Sequence, residues 1–298
     1  MSAPVSHLRA IGYALAGFTL WVFTDACIKL GGEASIPPYE IVGFIGMVQV
    51  LAVIAATGRR GNIGPLKPRN VRHQLLRAIL VLVNTFCNAI AVKHMPLTSF
   101  YVIIFTAPMV IAILAAFFLR EHLDRKKIIA VLAGFGGVVY AINPAAPVSS
   151  GDLIGYAALF FSVLAYSVNT TWLRVMTQAE SLQSLVFFSG AVEAIAAFIP
   201  MLWHFEQPTI FLFIILLAAG ILNFLGNFAN YKSLQHTTAA NVSQFHYTQI
   251  ITGALLGYLI WHDVPGMHLI IGAVIIIAAG LYIAAHARKT DRAPLAPA

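Results

Sequence analysis

The chain has 298 residues, of which 59% are hydrophobic and only 10% are charged, and its mean hydropathy is +0.83. A soluble domain carries roughly 25% charged residues, so a single water-soluble core is excluded and a lipid bilayer is the expected solvent. The net charge of +7 would suit nucleic acid, but the basic residues lie in short connections between apolar runs, which predicts membrane orientation and no nucleic-acid partner.

Apolar runs alternate with short connections rich in proline and glycine along the whole chain. Each run is about 20 residues long, enough to cross ~30 Å of hydrocarbon as a helix. The ten predicted spans are 10–30, 37–57, 74–93, 97–119, 126–143, 152–174, 181–203, 209–231, 238–260 and 266–286.

The positions of lysine and arginine predict the orientation. With the N-terminus in the cytoplasm, all of them except Lys29 and Lys93 fall on the cytoplasmic side. Arg77, in the first turn of the third run, is counted with the basic connection that precedes this run. The positive-inside rule therefore predicts that both termini are cytoplasmic. No small-residue cleavage site closes the first run, so we expect no cleavable signal peptide.

Two polar segments share one spacing, which predicts an internal repeat. Asn84, Asn88 and Lys93 in the third run recur as Asn223, Asn227 and Lys232 in the eighth. Gly46 and Gln49 in the second run likewise recur as Gly190 and Glu193 in the seventh. Runs one to five thus match runs six to ten, and we expect two repeats, 1–145 and 146–298. Because five is odd, the second copy enters the membrane from the opposite face, and such repeats place a substrate site near the midplane between them.

Three features carry a resemblance to a known family: the five-plus-five arrangement, Pro108 in the fourth run, and Glu121 at its end. The chain resembles the drug/metabolite transporter superfamily, in particular the EamA-type domain and bacterial inner-membrane amino-acid exporters of the YddG kind. The resemblance implies an all-α integral membrane protein with ten transmembrane helices in two inverted five-helix repeats. It also implies export of neutral amino acids, including aromatic ones, by alternating access across the bacterial inner membrane.

The second copy departs from this pattern, because Gln249 and Ile250 stand where the first has Ala107 and Pro108. Pro108 removes the helix hydrogen bond to the carbonyl of Ile104, so a hinge is expected in the fourth run. No such proline predicts a hinge in the ninth run. Asp263 takes the place of Glu121 and keeps the charge.

Amides inside apolar runs are the first candidates for binding, because hydrocarbon cannot satisfy their donors and acceptors. They either face a central cavity, where they bind a solute, or hold the third and eighth spans together. Asn230 and Asn241 lie nearer the cytoplasmic end and are expected to be solvated. The candidate substrate-binding amides are Asn84, Asn88, Asn169, Asn223 and Asn227.

Aromatic residues in the spans are candidate cavity walls, although such residues also serve as membrane-interface anchors and as packing. Rings combined with neutral polar groups suit a zwitterion with an apolar side chain. A phosphorylated solute would require a buried Lys/Arg cluster. The candidate walls are Trp21, Tyr101, Phe105, Tyr166 and Tyr247.

Charged and titratable residues within the spans are few. Asp25 and Lys29 are spaced i, i+4, which predicts a mutual ion pair. Glu193 is the candidate proton-coupling carboxylate, but its counterpart Gln49 cannot titrate, and a polar contact between the copies explains it equally well. His246 either titrates or is a satisfied neutral histidine.

Signatures of catalysis, metal binding and cofactor binding are absent from the sequence. We therefore expect no enzyme activity, no metal and no cofactor, and the expected partners are amino acids and the lipid bilayer. Two alternatives stay open: export of another small metabolite or drug, coupled to protons through Glu193, and a membrane enzyme acting on lipid, which the missing catalytic set disfavours. The oligomeric state is left open.

Overall fold

A computed structural model describes residues 4–58, 64–118, 125–142, 150–236, 242 and 244–290. These residues form helices and contain no strand. Short 3-10 helices cover Gly64–Leu66 and Gln244–Tyr247. The α-helices are α1 (Pro4–Glu33), α2 (Pro38–Gly58), α3 (Val71–His94), α4 (Leu97–Ile104), α5 (Ala107–Phe118), α6 (Arg125–Ile142), α7 (Ser150–Ala179), α8 (Leu182–Met201), α9 (Ile210–His236), α10 (Thr248–Trp261) and α11 (Met267–Thr290).

Seven helical stretches within the described ranges are long and apolar enough to cross a membrane, and one of them joins α4 and α5 over Leu97–Leu114. Shorter apolar stretches lie in α6 and α11, at Ile128–Ile142 and Met267–Tyr282. With Gln244–Tyr247 and α10 as the ninth, the segments follow the predicted order, and the all-α membrane fold of ten segments is confirmed. Glu121, Asn241 and the 145/146 repeat boundary lie outside the described residues.

Helix contacts repeat when each of the first five segments is exchanged for its counterpart in the last five. The contact of α1 with α9 is matched by that of α7 with α3, and α2 with α9 is matched by α8 with α3. Counterparts also pack on each other, α2 on α8 and α6 on α11. Since five crossings separate the counterparts, a pseudo-twofold axis in the membrane plane relates the two halves, as expected for inverted repeats.

Two counterpart glycines let α2 and α8 cross in close contact on this axis. A Cβ atom added at Gly46 would lie 2.6 Å from the carbonyl oxygen of Gly190, and one added at Gly190 would lie 2.8 Å from that of Gly46. Such distances are too short for a side chain, so glycine is needed on both helices. The glycine that recurs in the two repeats therefore allows the two central helices to pack closely.

The fourth segment is broken between α4 and α5, at Phe105 and Thr106. Pro108 has no N–H to donate to the carbonyl of Ile104, so the α-helical ladder stops there. The amide of Phe105 still makes the α-helical bond to the carbonyl of Tyr101 (3.1 Å), whereas the amide of Thr106 bonds three residues back, to the carbonyl of Ile103 (3.0 Å). The predicted break is present, and its role as a hinge stays a prediction. The ninth segment changes from 3-10 to α-helix between Tyr247 and Thr248, close to the equivalent position and without a proline.

Candidate functional site

A cavity lies between the two halves, walled by α1, α3, α4, α7, α9, α10 and the 3-10 helix Gln244–Tyr247. The space between its walls is about 840 Å³, a volume that includes the open solvent at its mouth. Asp25 is its one carboxylate, and no Lys or Arg is found among the residues described on its wall. The wall includes the asparagines Asn84, Asn88, Asn169, Asn223, Asn227 and Asn230 and the rings of Trp21, Tyr101, Tyr166, Tyr231 and His246.

The amides of the first half are oriented by one serine. The hydroxyl of Ser162, on α7, is within hydrogen-bond distance of the side-chain oxygens of Asn84 (3.0 Å) and Asn88. Ser162 is fully buried, so this contact holds both side chains in place. Because the hydroxyl carries one hydrogen, it donates to one of these oxygens, and the other amide can donate one N–H to the hydroxyl oxygen instead. Each amide then keeps at least one N–H as a donor to a solute or water in the cavity.

The amides of the second half belong to a buried hydrogen-bond chain that leaves the cavity. Asn227 Nδ2 donates to Asn223 Oδ1 (2.5 Å) and to Gln49 Oε1 (3.0 Å). Gln49 Nε2 in turn donates to Glu193 Oε2 (2.8 Å). The asparagines of α3 and α9 thus bond to α7, to α2 and within α9, and not across to each other as the pairing alternative supposed.

Glu193 lies behind the cavity and not on its wall. Thr85 Oγ1 donates to its second carboxylate oxygen at 2.7 Å, so both oxygens are satisfied. The polar contact between the copies that the sequence offered as one explanation of Glu193 is therefore present. Proton coupling through this residue stays a prediction.

Asp25 projects into the cavity and does not pair with Lys29. Asp25 Oδ2 accepts a hydrogen bond of 2.7 Å from the hydroxyl of Tyr101. The ammonium group of Lys29 instead lies 3.7 Å from Asp263, 4.0 Å from Glu33 and 3.3 Å from the carbonyl oxygen of Met95. The ion pair predicted from the i, i+4 spacing is wrong, because a carboxylate of the other half offers Lys29 a partner at the end of the helix.

Trp21, Tyr166 and His246 form the aromatic side of the wall. Trp21 meets Tyr166 edge to face with 6.3 Å between ring centroids, and the hydroxyl of Tyr166 lies 2.7 Å from Nε2 of His246. Gly226 makes room for Trp21, since a Cβ atom there would lie 2.7 Å from its Cδ1. His246 is buried and its Nδ1 has no partner among the described atoms, so it is only partly satisfied.

Phe105 and Tyr247 lie behind this wall. Phe105 is fully buried and packs against Tyr101 (6.5 Å between centroids) and Tyr247 (5.4 Å). They support the rings that face the cavity and do not line it. Of the predicted site residues, the structure thus brings together on the wall Trp21, Asn84, Asn88, Tyr101, Tyr166, Asn169, Asn223, Asn227 and His246, while Phe105, Tyr247, Pro108 and Glu193 lie off it.

Two polar residues of the region were misjudged from the sequence. Asn230, expected to be solvated, is 4% exposed, lines the cavity and has no partner for its amide nitrogen among the described atoms. Arg77, counted with a connection, is fully buried in α3 and donates to Tyr231 (3.2 Å), to Ser189 (2.6 Å) and to the carbonyl of Leu185. Helical spacing could have indicated that Arg77 points into the protein, since it falls on the face of α3 that carries Asn84 and Asn88.

No group of three or more His, Cys, Asp or Glu residues that could hold a metal ion occurs in the part of the chain that was searched. Cys27 and Cys87 are free, half-buried thiols. The cavity wall itself offers amides, one carboxylate and aromatic rings.

Comparison with known proteins gives a consistent result. The EamA-like transporter family matches residues 8–143 and again 153–285. The pseudopaline exporter CntI of Pseudomonas aeruginosa is 27% identical over 89% of this chain and 92% of its own length. An S-adenosylmethionine uptake transporter of Rickettsia felis is 25% identical over 93% of both chains. A riboflavin transporter of Vibrio cholerae is 23% identical over 83% of this chain and 82% of its own length. A crystal structure at 17% identity covers 98% of this chain and 100% of its own with a TM-score of 0.69, which supports the fold.

Proposed function

The chain belongs to the EamA-like transporter family, and we propose that it is a secondary transporter that exports neutral amino acids, including aromatic ones, by alternating access. One observation carries the substrate class: the cavity wall combines amides and aromatic rings with a single carboxylate and, within the described residues, no cationic side chain. Such a wall suits a small zwitterion with an apolar or aromatic side chain. It does not suit a phosphorylated solute, which would require Lys or Arg.

The relatives do not assign a substrate, because their names refer to three different solutes: pseudopaline, S-adenosylmethionine and riboflavin. All three are named as exporters or transporters, which supports transport without catalysis. Substrate choice within such a family rests on the side chains of the cavity, so we base it on the amides and rings of this chain.

A contact between the halves at one end of the molecule supports the alternating-access part of the proposal. We call it the Lys29 cluster; it comprises Lys29, Glu33, Met95, Trp261 and Asp263. Besides its contacts to Asp263, Glu33 and Met95, Lys29 lies 4.7 Å from the ring centroid of Trp261, and Trp261 Nε1 donates to Glu33 at 2.7 Å. Opening this end requires the cluster to separate as one half rocks against the other.

The distribution of Lys and Arg supports the proposed orientation, with both termini in the cytoplasm and the Lys29 cluster at the outer face of the bacterial inner membrane. In this orientation, separation of the cluster would release solute to the outside. Export as the working direction follows the resemblance to amino-acid exporters.

Export of another metabolite or drug, coupled to protons through Glu193, is the second candidate. The chain of hydrogen bonds from Asn227 through Gln49 to Glu193 favours it, since it connects a buried carboxylate to the cavity wall. Transport that depends on a pH gradient in the wild type, and loses that dependence in Glu193→Gln, would support coupling. Equal pH dependence in the wild type and in Glu193→Gln would rule out proton coupling through Glu193.

Counterflow in proteoliposomes tests the main proposal. Vesicles that contain the purified protein are loaded with unlabelled phenylalanine or threonine, and uptake of the radiolabelled amino acid is followed. We expect transient accumulation above the level of protein-free vesicles, with competition by other neutral amino acids. If no neutral amino acid accumulates or competes, the substrate class is wrong.

A further inference from the structure

We propose that Asp25, held by Tyr101, binds the positively charged nitrogen of the transported solute. The inference rests on the proposed function, because it specifies which part of the solute the cavity recognises. It goes beyond that proposal by requiring an ammonium group, whereas the solute's carboxylate becomes dispensable.

The first argument is charge balance. Asp25 is 8% exposed, and the ion pairs found among the described residues do not include it. Lys29, the cation one turn along the same helix, is directed to the Lys29 cluster. A carboxylate inside a membrane protein is costly unless a cation or hydrogen bonds compensate it. A bound ammonium group would supply this compensation.

The second argument is the placement of the carboxylate. Tyr101 donates to Oδ2 and thereby fixes the rotamer of Asp25, while Oδ1 keeps its capacity to accept from a ligand. Tyr101 itself is held against α10 at Gly253, where an added Cβ atom would lie 2.2 Å from its ring. The acceptor is thus positioned by residues of both halves, on the same wall as Trp21.

The third argument is the complementary donor set. The NH₂ groups of Asn84 and Asn88 are suited to a carboxylate, and the rings of Trp21 and Tyr166 to an apolar side chain. A cavity with an acidic acceptor and separate amide donors would orient a zwitterion. The contact at Asp25 is the stronger of the two, since it pairs two opposite charges, whereas neutral amides donate to the solute's carboxylate.

Competition binding on the purified full-length protein tests the inference. Two analogues compete with radiolabelled phenylalanine for binding. Phenylalaninamide keeps the ammonium group and lacks the carboxylate, whereas N-acetylphenylalanine keeps the carboxylate and lacks the ammonium group. We expect phenylalaninamide to compete within about tenfold of phenylalanine and N-acetylphenylalanine to be weaker by at least about a hundredfold, because it also leaves Asp25 unpaired. Equal competition by the two analogues would overturn the inference.

Substitution gives the second measurement. Asp25→Asn keeps the shape and the bond from Tyr101 but removes the charge, and we expect it to weaken binding of phenylalaninamide by at least about tenfold. Asp25→Glu should recover part of the loss. Glu206→Gln is the control, because it removes an acidic side chain exposed outside the cavity and should change nothing. If Asp25→Asn binds as the wild type does, the inference is wrong, and if it fails to fold, the analogue series on the wild type decides.

Phenethylamine separates this inference from the proposed function, because it is a cation but not an amino acid. Its binding is measured by the quenching of intrinsic tryptophan fluorescence. If the wild type binds phenethylamine and no amino acid, the proposed substrate class fails and the ammonium site stands. If it binds phenylalanine but not phenethylamine or phenylalaninamide, the ammonium site fails and the substrate class stands. Binding of none of these probes overturns both.

Discussion

Gln49 and Glu193 occupy the same position in the two repeats and hydrogen-bond to each other, with 2.8 Å between Gln49 Nε2 and Glu193 Oε2. A twofold axis brings residues that lie on it into contact with their own counterparts. The Gln49 and Glu193 side chains have the same shape and differ only in that glutamine has an amide nitrogen where glutamate has a carboxylate oxygen. Because of this difference, a hydrogen-bond donor faces an acceptor. Two identical glutamates here would repel each other.

Glu193→Gln should destabilise the protein modestly, because an amide offers one acceptor oxygen where the carboxylate offers two. Its oxygen can still accept from Gln49, but its NH₂ group then faces Thr85, whose hydroxyl must donate to the carbonyl of Val81 and accept from the amide. Two hydrogen bonds to an ionised carboxylate are thereby replaced by neutral ones, which costs about 1 kcal/mol. Thermal unfolding of the detergent-purified protein measures this change.

The double substitution Gln49→Glu with Glu193→Gln is the matched test of that explanation. It returns a carboxylate to the pair at position 49, where it accepts from position 193 and from Asn227, and it leaves an amide oxygen for Thr85. We expect it to recover most of the lost stability. A double variant no more stable than Glu193→Gln would show that the carboxylate is needed at position 193 for another reason.

Features that depend on the bilayer and on the repeat are predictable from the sequence. Hydrocarbon thickness sets the length of each span, and the recurrence of Asn84 and Asn88 as Asn223 and Asn227 predicts counterparts that the structure brings to one cavity. The contact between Gln49 and Glu193 was likewise foreseen as one alternative, since both occupy one position of the repeat. The symmetry of the repeats thus predicts contacts between residues that are distant in the sequence.

Features that depend on the partner half are not predictable from local spacing. The i, i+4 rule considers one helix, so it pairs Lys29 with Asp25 and misses Asp263, which is distant in sequence. Arg77 was assigned to a connection because a charge count has no knowledge of burial. Its two terminal nitrogens donate to a carbonyl and a hydroxyl of α8 and to Tyr231, while its buried Nε has no partner among the described atoms. Only the folded arrangement shows these contacts.

Asn88→Leu and Asn227→Leu are expected to impair transport more than folding. After Asn88→Leu, the hydroxyl of Ser162 still has Asn84 as an acceptor, so we expect a loss of stability below about 1 kcal/mol. Asn227→Leu leaves Gln49 Oε1 without its donor and should cost somewhat more. We expect both to lower the initial rate of counterflow by at least about tenfold, since each removes a polar group from the wall.

Val83→Leu and Ile221→Leu are the controls for these two variants, because both side chains lie on exposed faces of the same helices, α3 and α9. Both should transport at the wild-type rate. If the asparagine variants instead lose transport only in proportion to the loss of folded, extractable protein, the amides serve to hold helices together.

Cross-linking the Lys29 cluster is expected to stop transport. Glu33→Cys and Trp261→Cys are combined with Cys27→Ser and Cys87→Ser, and a short bis-maleimide then joins α1 of the first half to α10 of the second. If this end must open in each cycle, counterflow should fall to background after cross-linking and persist in the untreated protein. The two single-cysteine variants, treated with the same reagent, should keep their activity. Full transport by the cross-linked protein would contradict alternating access at this end.

Pro108→Ala is expected to slow transport without weakening solute binding. The substitution supplies an N–H that can donate to the carbonyl of Ile104 and extend the helix through the break between α4 and α5. A stiffer fourth segment should lower the maximal counterflow rate several-fold, while the concentration for half-maximal binding stays the same and the unfolding temperature stays equal or rises. Pro200→Ala is the matched control, because Pro200 also lies within a helix but near the end of α8 and off the cavity wall. If the two substitutions change the transport rate equally, Pro108 does not act as a hinge.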